Sequence, residues 1–388
     1  MAKRKVLFVT GIRSEYDILY SIIKAVRESA ALEPEVVVTG AHLSPMYGNT
    51  SKEVEGDGFP IVARIESLLN SDTPAGRVKS AAIQLSGLVE VFIRSRPDFV
   101  IAPMDREEAI NVALAGAYMG IPVVHVGGGD TAEDGNIDNA VRHAVTKLSH
   151  LHMVTTERSA ERVIGLGEEP WRVHVVGAPG LDRLLTTPKM EPDALWGTIG
   201  FDPAGKPFAL VIQHSILTDV ERSGSKMATT LDSLVQLGVP TFVGYPNSDA
   251  GSQQIIEAIE SYAQRYPHLI HKFQNLSRLE FVNLLRRTHV MVGNSSCGII
   301  EAPLFHIPVV NVGPRQRGRE HAENVLFVDH DAMQIQEAVR KSLHDPEHRR
   351  VVAECVNPYG DGRAGRRIAD ILEVQEIDDR LKHKRNTF

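Results

Sequence analysis

The stretch "KVLFVTG", residues 5–11, decides the fold because it is a nearly continuous apolar run that ends in a glycine. Such a run, without polar alternation, is typical of a strand that is buried on both faces of a sheet. The segment "ILYSIIKAVRES" (18–29) follows with apolar residues at helical spacing. A buried strand followed by an amphipathic helix predicts a parallel sheet covered by helices, which is the α/β class.

The same pattern recurs along the chain. Three more strands are predicted in the first half, at "PEVVVTG" (34–40), "DFVIAP" (98–103) and "IPVVHV" (121–126). The pattern then restarts with four strands, at "FALVIQHS" (208–215), "PTFVGYPN" (240–247), "HVMVGNSS" (289–296) and "PVVNVG" (308–313). We therefore predict an α/β chain of two Rossmann-like domains with a central cleft.

The domain boundaries are predicted from composition. The region between the two halves is rich in glycine and proline and lacks a clean period, which is typical of a linker. The prediction is an N-terminal Rossmann-like domain at 1–178, a linker at 179–206 and a nucleotide-binding Rossmann-like domain at 207–365. A charged helix at 366–388 could cross back to the first domain.

Composition excludes several classes of protein. The chain has 388 residues and a net charge of −7, so we expect neither a nucleic-acid nor a membrane partner. Its two cysteines, Cys297 and Cys355, are too few for a disulfide framework or a thiolate metal site. The apolar run near the N-terminus is too short for a signal peptide, so we expect a cytoplasmic protein. No metal-ligand pattern is visible, and we expect no cofactor.

Ligands of open parallel sheets bind beyond the carboxyl ends of the strands, so the residues after each strand are candidates. In "GIRSEYD" (11–17), Arg13 lies near the start of a helix, where it either binds a phosphate or is a solvated turn residue. In "MDREEA" (104–109), Asp105 next to Arg106 could act as a base or orient a neighbour. We interpret Glu107 and Glu108 as ordinary acids of a helix start. A nicotinamide dinucleotide site is unsupported because no G-x-G-x-x-G motif occurs here.

The second half offers its own candidates. His214 ends a strand and is either catalytic or structural. The segment "VGNSSCGIIEA" (292–302) presents small donors at a helix start, which suits a diphosphate but also a plain helix cap. Arg315 lies in a basic loop that we place after the last strand.

Ten segments together resemble one family. They are "GIRSEYD", "VTGAHLSPMYGNT", "MDREE", "IDNAVRHAVTKLSHLH", "RVIGLGEEPWRVHVVGAPGLD", "QHSILTD", "YPNSDAGS", "GNSSCGIIEAP", "GPRQRGRE" and "NPYGDGRAGRRI". In this order they are similar to the hydrolysing UDP-N-acetylglucosamine 2-epimerases of the sialic-acid pathway. The resemblance implies a glycosyltransferase-B-like fold, a nucleotide-sugar substrate and a homodimer or homotetramer. It also implies loss of the proton at carbon 2 with elimination of UDP, followed by hydration of the 2-acetamidoglucal to N-acetylmannosamine.

The resemblance also implies roles for individual residues. Those that match substrate-binding positions are Arg13, His42, Arg106, Asn247, Ser295, Ser296, Glu301 and Arg315. Those that match positions for acid–base work or stabilisation of the leaving group are Asp105, Asp138 and His214.

The loop "HVGGGDTAEDGNID" (125–138) departs from the family, which usually reads His-Ile-Glu-Gly-Gly-Glu where this chain has "HVGGGD". Gly127 holds the position of the family's catalytic glutamate, and Met104 replaces the usual glycine before the strand-end aspartate. Either a nearby acid, namely Asp130, Glu133 or Asp134, reaches the vacated position, or the acid–base scheme differs. We expect the first, and count Asp130 and Glu133 among the catalytic candidates.

Other functions stay open at this point. The same chemistry could act on a UDP-2,4-diacetamido sugar or a GDP-linked sugar. A retaining glycosyltransferase of the same fold would transfer the sugar without exchange of the proton at carbon 2. A non-catalytic nucleotide-sugar binder would bind without turnover.

Overall fold

A computed structural model describes residues 3–71, 73–131, 137–246, 251–274 and 276–387. These residues form two compact units. Unit 1 contains the described residues of 3–131, 137–185 and 359–387, and unit 2 those of 186–358. Each unit is an α/β domain around one parallel sheet, so the prediction of two Rossmann-like domains is confirmed.

Unit 1 is built on a seven-stranded parallel sheet of order β3-β2-β1-β4-β5-β6-β7. Its strands are β1 (Arg4–Thr10), β2 (Leu32–Thr39), β3 (Ile61–Ile65), β4 (Phe99–Pro103), β5 (Val123–Val126), β6 (Leu151–Val154) and β7 (Val173–Val175). Its helices before residue 187 are α1 (Arg13–Glu28), α2 (Ser51–Gly56), α3 (Pro74–Ser95), α4 (Glu107–Tyr118), α5 (Asp138–Leu148), α6 (Glu157–Gly165) and α7 (Gly180–Thr186).

Unit 2 repeats the topology with a six-stranded parallel sheet of order β10-β9-β8-β11-β12-β13. Its strands are β8 (Ala209–Ile212), β9 (Thr241–Gly244), β10 (Ile270–Phe273), β11 (Val290–Gly293), β12 (Val309–Val312) and β13 (Val325–Val328). Its helices are α8 (Pro192–Ile199), α9 (Ser223–Gln236), α10 (Ser252–Arg265), α11 (Arg278–Arg287), α12 (Ser296–Ile300), α13 (Ala332–His344) and α14 (Pro346–Glu354). Because β13 follows β12, the basic loop of Arg315 does not come after the last strand, and that detail of the prediction is wrong.

The first strand shows why its sequence is apolar throughout. Val6 and Phe8 of β1 belong to a buried cluster on one face of the sheet, and Leu7 and Val9 to a second cluster on the other face. Both faces are therefore removed from water, and polar alternation would bury unpaired polar groups.

Strand order reverses at one place in each sheet. In unit 1 the chain passes from β1 outward to β3 and then returns to β4 on the other side of β1. In unit 2 the same reversal occurs between the neighbouring strands β8 and β11. The carboxyl ends of two adjacent strands with diverging connections leave a crevice, which is the usual ligand site of such sheets.

The last part of the chain forms two helices, α15 (Ala364–Val374) and α16 (Asp379–Lys382), where the sequence predicted one. The break follows from Asp378, whose carboxylate accepts from the backbone N–H of Leu381 at 2.9 Å and caps a new helix. Ile368 and Leu372 of α15 lie in the same buried cluster as α1. The buried Arg172 also donates to the carbonyl of Leu381 at 2.8 Å.

The segment predicted as a linker, 179–206, contains α7 and α8, and the two units divide within it. Trp196 of α8 stacks on Phe242 of β9, with ring centroids 5.8 Å apart, so this part of the segment packs into unit 2. Among the residues that the structure describes, none lies in a helix both long and apolar enough to cross a membrane.

Candidate functional site

The reversal point of unit 1 begins with the turn after β1. Helix α1 starts at Arg13, as expected for a residue near a helix N-terminus. The Arg13 guanidinium is half exposed, and its Nε lies 3.3 Å from Oε1 of Glu53. This exposed ion pair is weak, so Arg13 can exchange its partner for an anionic ligand at little cost.

Asp105, at the end of β4, is fixed by a buried arginine. Arg142 of α5 donates through Nη2 to the Asp105 carboxylate. Its Nη1 donates to the carbonyl of Asp130 at 2.7 Å and to Oδ1 of Asn139 at 2.9 Å. One guanidinium therefore connects the end of β4, the glycine-rich loop and the start of α5. Sequence reasoning missed Arg142, although its helical spacing from Asp138 was a usable signal.

Two predicted residues, Arg106 and Asp138, line one cavity of about 600 Å³ in unit 1. Leu68, Arg77 and Glu107 also line it, and Arg77 Nη2 lies 2.8 Å from Oε2 of Glu107. The walls come from segments that follow β3 and β4 and from the first turns of α3 and α5. The structure thus brings these two candidates together at the carboxyl edge of the sheet.

Glu108 is not an ordinary acid of a helix start, and that interpretation is wrong. The side chain is buried, with Oε2 at 3.3 Å from Nε of Arg106. The buried Glu15 of α1 approaches the same Nε at 3.9 Å. Burial raises the pKa of Glu15 well above its usual value, and the nearby Glu108 raises it further. Burial likewise raises the pKa of Glu108. Sequence reasoning missed Glu15 and misinterpreted Glu108, because the burial of both depends on tertiary packing.

The space that a side chain at residue 127 would occupy is filled by the side chain of Met104. A Cβ built on Gly127 would overlap the sulfur of Met104, and the backbone of Gly127 has a φ of +84°, which side-chain-bearing residues rarely adopt. Met104 itself has a φ of +59°. Two contacts hold the Met104 backbone in this conformation. The Met104 N–H donates to the carbonyl of Val126 at 2.8 Å, and the Met104 carbonyl lies 2.9 Å from Nε2 of the buried His125. A non-glycine residue in this region costs about 1–2 kcal/mol, so the surroundings impose the conformation.

The relocation of a nearby acid to the position of the family glutamate stays a prediction. Asp130 uses Oδ1 to accept from the N–H of Thr131 at 2.9 Å within its own turn. Glu133 and Asp134 lie outside the described residues. The third glycine of the run also has a packing role, because a Cβ on Gly129 would overlap the carbonyl of Ser159.

His42 lies behind the end of β1 and is fully buried. Its Nε2 is 2.9 Å from the hydroxyl of Thr10, and its Nδ1 is 2.7 Å from that of Thr50. Burial lowers the pKa of His42 to about 4, so the ring is neutral at physiological pH. The role implied for it, lining a sugar pocket, stays a prediction.

Unit 2 joins the ends of β8 and β11 through one amide side chain. Oδ1 of the buried Asn294 accepts from the backbone N–H of His214 at 2.7 Å, and its Nδ2 donates to the carbonyl of His214 at 2.9 Å. This two-way pairing fixes the backbone from which the half-buried His214 side chain projects. Asn294 is therefore a positioning residue at the reversal point.

The other candidates of unit 2 surround the same strand end. Ser295 caps the five-residue helix α12, its Oγ accepting from the N–H of Cys297 at 3.3 Å, and Ser296 is the first residue of that helix. Glu301 directly follows it. Arg315 returns to the same place, because its Nη1 donates to the carbonyl of Asn294 at 3.2 Å. Asn247 lies outside the described residues.

Both reversal points carry arginines, namely Arg13 and Arg106 in unit 1 and Arg315 in unit 2, beside acidic side chains in unit 1. Among the residues that the structure describes, no group of three or more His, Cys, Asp or Glu side chains could hold a metal ion. The acid–base groups present are carboxylates and imidazoles, which need no cofactor to move a proton.

Comparison with known proteins assigns the family. A family model described as UDP-N-acetylglucosamine 2-epimerase matches residues 24–373. The UDP-N,N'-diacetylbacillosamine 2-epimerase (hydrolyzing) of Legionella pneumophila is 35% identical over 385 residues, covering 99% of this chain and 100% of the relative. The GDP/UDP-N,N'-diacetylbacillosamine 2-epimerase (hydrolyzing) of Campylobacter jejuni is 32% identical over 327 residues, or 84% of each chain.

A solved structure shows the same fold. The UDP-GlcNAc 2-epimerase from Neisseria meningitidis bound to UDP-GlcNAc superposes with a TM-score of 0.77 at 20% identity, covering 95% of this chain and 99% of that chain. At this identity the likeness shows the fold alone, which is the glycosyltransferase-B-like class. By the family model and the full-length relative, the chain belongs to the UDP-N-acetylglucosamine 2-epimerase family.

Proposed function

We propose that this protein is a hydrolysing 2-epimerase that converts a UDP-linked 2-acetamido sugar into UDP and the free sugar epimerised at carbon 2. The observation that carries the proposal is the Asp105 carboxylate, held by the buried Arg142 at the reversal point of unit 1. A carboxylate fixed in orientation at a ligand-binding edge is suited to proton transfer.

The proposed reaction has two steps. In the first, a base takes the proton from carbon 2, the bond between carbon 1 and the diphosphate oxygen breaks, and UDP leaves with that electron pair. The product is a 2-acetamidoglucal with a double bond between carbons 1 and 2. In the second, water adds its oxygen to carbon 1, and a proton reaches carbon 2 on the opposite face. Because no carbonyl acidifies the proton at carbon 2, stabilisation of the leaving diphosphate carries much of the catalysis.

The residues divide between these tasks. Asp105 is the proposed base, and Asp138, in the same unit, is a second carboxylate for the return of the proton. Arg13 and Arg106 of unit 1 and Arg315 of unit 2 provide the positive charge that the leaving diphosphate needs. Ser295 and Ser296 offer hydroxyl and backbone donors to the diphosphate. His214 is proposed to stabilise the leaving group.

The preferred substrate is a UDP-linked 2,4-diacetamido sugar. The name of the Legionella relative, which matches this chain over its whole length, supports that choice over UDP-N-acetylglucosamine. Both sugars carry the acetamido group at carbon 2, so the chemistry is the same. The Campylobacter relative is named for both GDP- and UDP-linked forms, which makes the base a separate question.

Binding without catalysis is a second candidate function, and the filled position next to Gly127 favours it. The usual catalytic side chain has no room there unless Met104 moves. A chain that keeps the diphosphate groups but lacks this acid would retain the nucleotide sugar and release no product.

The test is a proton NMR time course in deuterated water with three substrates in parallel: the UDP-linked diacetamido sugar, its GDP-linked form and UDP-N-acetylglucosamine. Release of the nucleotide with a manno-configured free sugar deuterated at carbon 2 is the expected result. A gluco-configured free sugar without deuterium at carbon 2 would mean simple hydrolysis and would contradict the epimerase proposal. Saturation-transfer signals without any turnover would support the second candidate instead.

A further inference from the structure

Arg106 lies between two buried carboxylates at the reversal point of unit 1. Its Nε is 3.3 Å from Oε2 of Glu108 and 3.9 Å from Oε1 of Glu15. Both carboxylates are almost fully buried, whereas the Arg106 side chain is 36% exposed and lines the cavity of about 600 Å³ described above. The guanidinium thus has one side against the acids and another toward the ligand site.

The two acids are held in place by the turn after β1. Oε2 of Glu15 accepts from the backbone N–H of Gly11 at 2.8 Å. The Glu108 carboxyl packs against the same glycine so closely that a Cβ there would overlap it. Oε1 of Glu15 is buried and has no hydrogen-bond partner within the described part of the chain. A buried oxygen without a partner costs about 1–3 kcal/mol, and a proton on this carboxyl would turn it into a donor.

Charges around the pair favour one added proton. Two buried carboxylates share one guanidinium, which Glu107 also contacts, so the negative charge of the pair is not fully compensated in a buried place. Other charged groups nearby are Glu107 of α4, which lies 3.4 Å from Nη2 of Arg106, and Arg77 of α3, which pairs with Glu107 at 2.8 Å. The negative charge of Asp138 on α5 helps to raise the pKa of Arg77. Burial raises the pKa of Glu15 and of Glu108 above the usual value of 4.5, in agreement with this geometry.

We infer that Glu15 and Glu108 are positioning residues for Arg106, and that this pair takes up a proton when Arg106 engages the diphosphate of a nucleotide. The inference rests on the proposed function, which assigns the diphosphate to Arg106 among others. The ligand brings negative charge to the guanidinium and weakens its attraction for the two carboxylates. The pair then holds a proton more tightly in the complex than in the free protein.

The sign of the pH dependence follows. Because the complex binds more protons than the free protein, affinity for the nucleotide falls as the pH rises through the range in which the pair titrates. That range lies above 4.5, the usual value for a glutamate. Without the pair, Arg106 would bind the anion with no linked proton.

The experiment measures the proton count directly. UDP is titrated into the full-length protein by calorimetry in two buffers with different ionisation enthalpies, at several pH values between about 5 and 8. The proton taken up per UDP is the slope of binding heat against buffer ionisation enthalpy. Titration of UDP itself is common to wild type and variants, so their difference reports the pair alone.

The variants are Glu15→Gln and Glu108→Gln, with Glu90→Gln on the exposed face of α3 as the matched control. A glutamine at 15 keeps an acceptor for the Gly11 N–H, and the second variant provides the same test if the first fails to fold. We expect wild type and Glu90→Gln to take up on the order of half a proton more than either pair variant. If wild type and every folded variant that binds UDP take up the same number of protons, this inference is overturned and the proposed function still stands. Absence of any UDP binding by wild type would overturn the proposed function, and the inference with it.

Discussion

The reversal points of the two units share a topology and differ in chemistry. In unit 1 the strand ends carry charged groups: the Asp105 carboxylate on Arg142, and Arg106 between two buried glutamates. In unit 2 the corresponding strand ends are joined by the neutral amide of Asn294, and Arg315 donates to the backbone carbonyl of the same residue. The order of strands therefore decides where a ligand can bind, and the side chains at the strand ends decide what happens to it.

The difference has a physical consequence. Buried carboxylates next to arginines can gain or lose protons when a ligand arrives, whereas an amide pairing can only hold its geometry. Unit 1 therefore contains groups whose proton count can respond to a ligand, whereas the Asn294 pairing in unit 2 fixes a backbone geometry. The following predictions test that division.

Asp105→Asn should have the largest effect. The amide keeps a hydrogen bond to Arg142 but cannot take a proton, so we expect turnover to fall about 100-fold or more while affinity for UDP changes little. Steady-state kinetics and calorimetry measure the two quantities. Asp98→Asn, at the opposite end of the same strand, is the control and should keep its turnover. Near-wild-type turnover of the Asp105 variant would remove that residue as the base.

Gly127→Glu should destabilise unit 1 by about 3 kcal/mol, because the new side chain meets Met104 and a positive φ. The double variant Met104→Gly/Gly127→Glu removes the overlap and should recover about half of the loss. Urea unfolding of wild type, Met104→Gly, Gly127→Glu and the double variant gives the coupling between the two positions. Gly165→Glu, where a Cβ meets nothing within 4 Å, is the control. Additive effects in the double variant would show that Met104 is not the obstacle.

Asn294→Ala should cost unit 2 about 2 kcal/mol, because the backbone N–H and carbonyl of His214 lose their partners together. It should also weaken UDP binding, since the strand end that bears His214 is no longer fixed. Denaturation monitored by tryptophan fluorescence and a UDP titration measure the two effects. Asn386→Ala, in the exposed C-terminal segment, is a control for loss of an amide. Unchanged UDP affinity would separate this pairing from the nucleotide site.

Glu15→Gln should reduce by about 1 kcal/mol the loss in free energy of unfolding that the protein shows between about pH 5 and 8. The pKa of Glu15 is raised in the folded protein, so the folded state binds more protons than the unfolded one. Its contribution is fully present below 4.5 and is lost as the pH rises through the folded pKa. The variant should therefore lose less stability than wild type between about pH 5 and 8, as thermal melts would show. If the melting temperatures of wild type and variant change with pH in the same way, Glu15 is charged throughout this pH range.

Glu53→Gln should have the smallest effect. The ion pair with Arg13 is exposed, so we expect the free energy of unfolding to change by less than about 0.5 kcal/mol. Chemical denaturation is the measurement. A loss above about 1 kcal/mol would mean that Arg13 is committed to the fold rather than available to a ligand.

Much of the fold was predictable because it is local. The strands predicted from apolar runs, such as β1 and β11, lie inside the sheets, where both faces are buried. Five strands were missed, namely β3, β6, β7, β10 and β13, and all but β6 are edge strands. In β7 and β10 the sequences "VHV" and "IHKF" contain polar residues, and a short polar pattern does not distinguish an edge strand from a loop. The division of the last helix depended on the Asp378 cap, which the charged periodicity obscured.

The site was predictable only in part. Asp105 and His214 could be identified from sequence because each lies at or just after the end of a predicted strand. Glu15 and Arg142 were missed, and Glu108 was misinterpreted, because their environment is created by elements far away along the chain. Met104 could be recognised as unusual, but only packing shows that its sulfur takes the place of a side chain at 127.

The C-terminal segment has a consequence for synthesis on the ribosome. Helix α15 packs against α1 with Ile368 and Leu372 in the buried cluster of the first domain, and Arg172 donates to the carbonyl of Leu381. All of unit 2 is translated before those residues emerge. The nascent chain must therefore keep an apolar face of its first domain uncovered while the second is made, which is the period when a chaperone would be most useful.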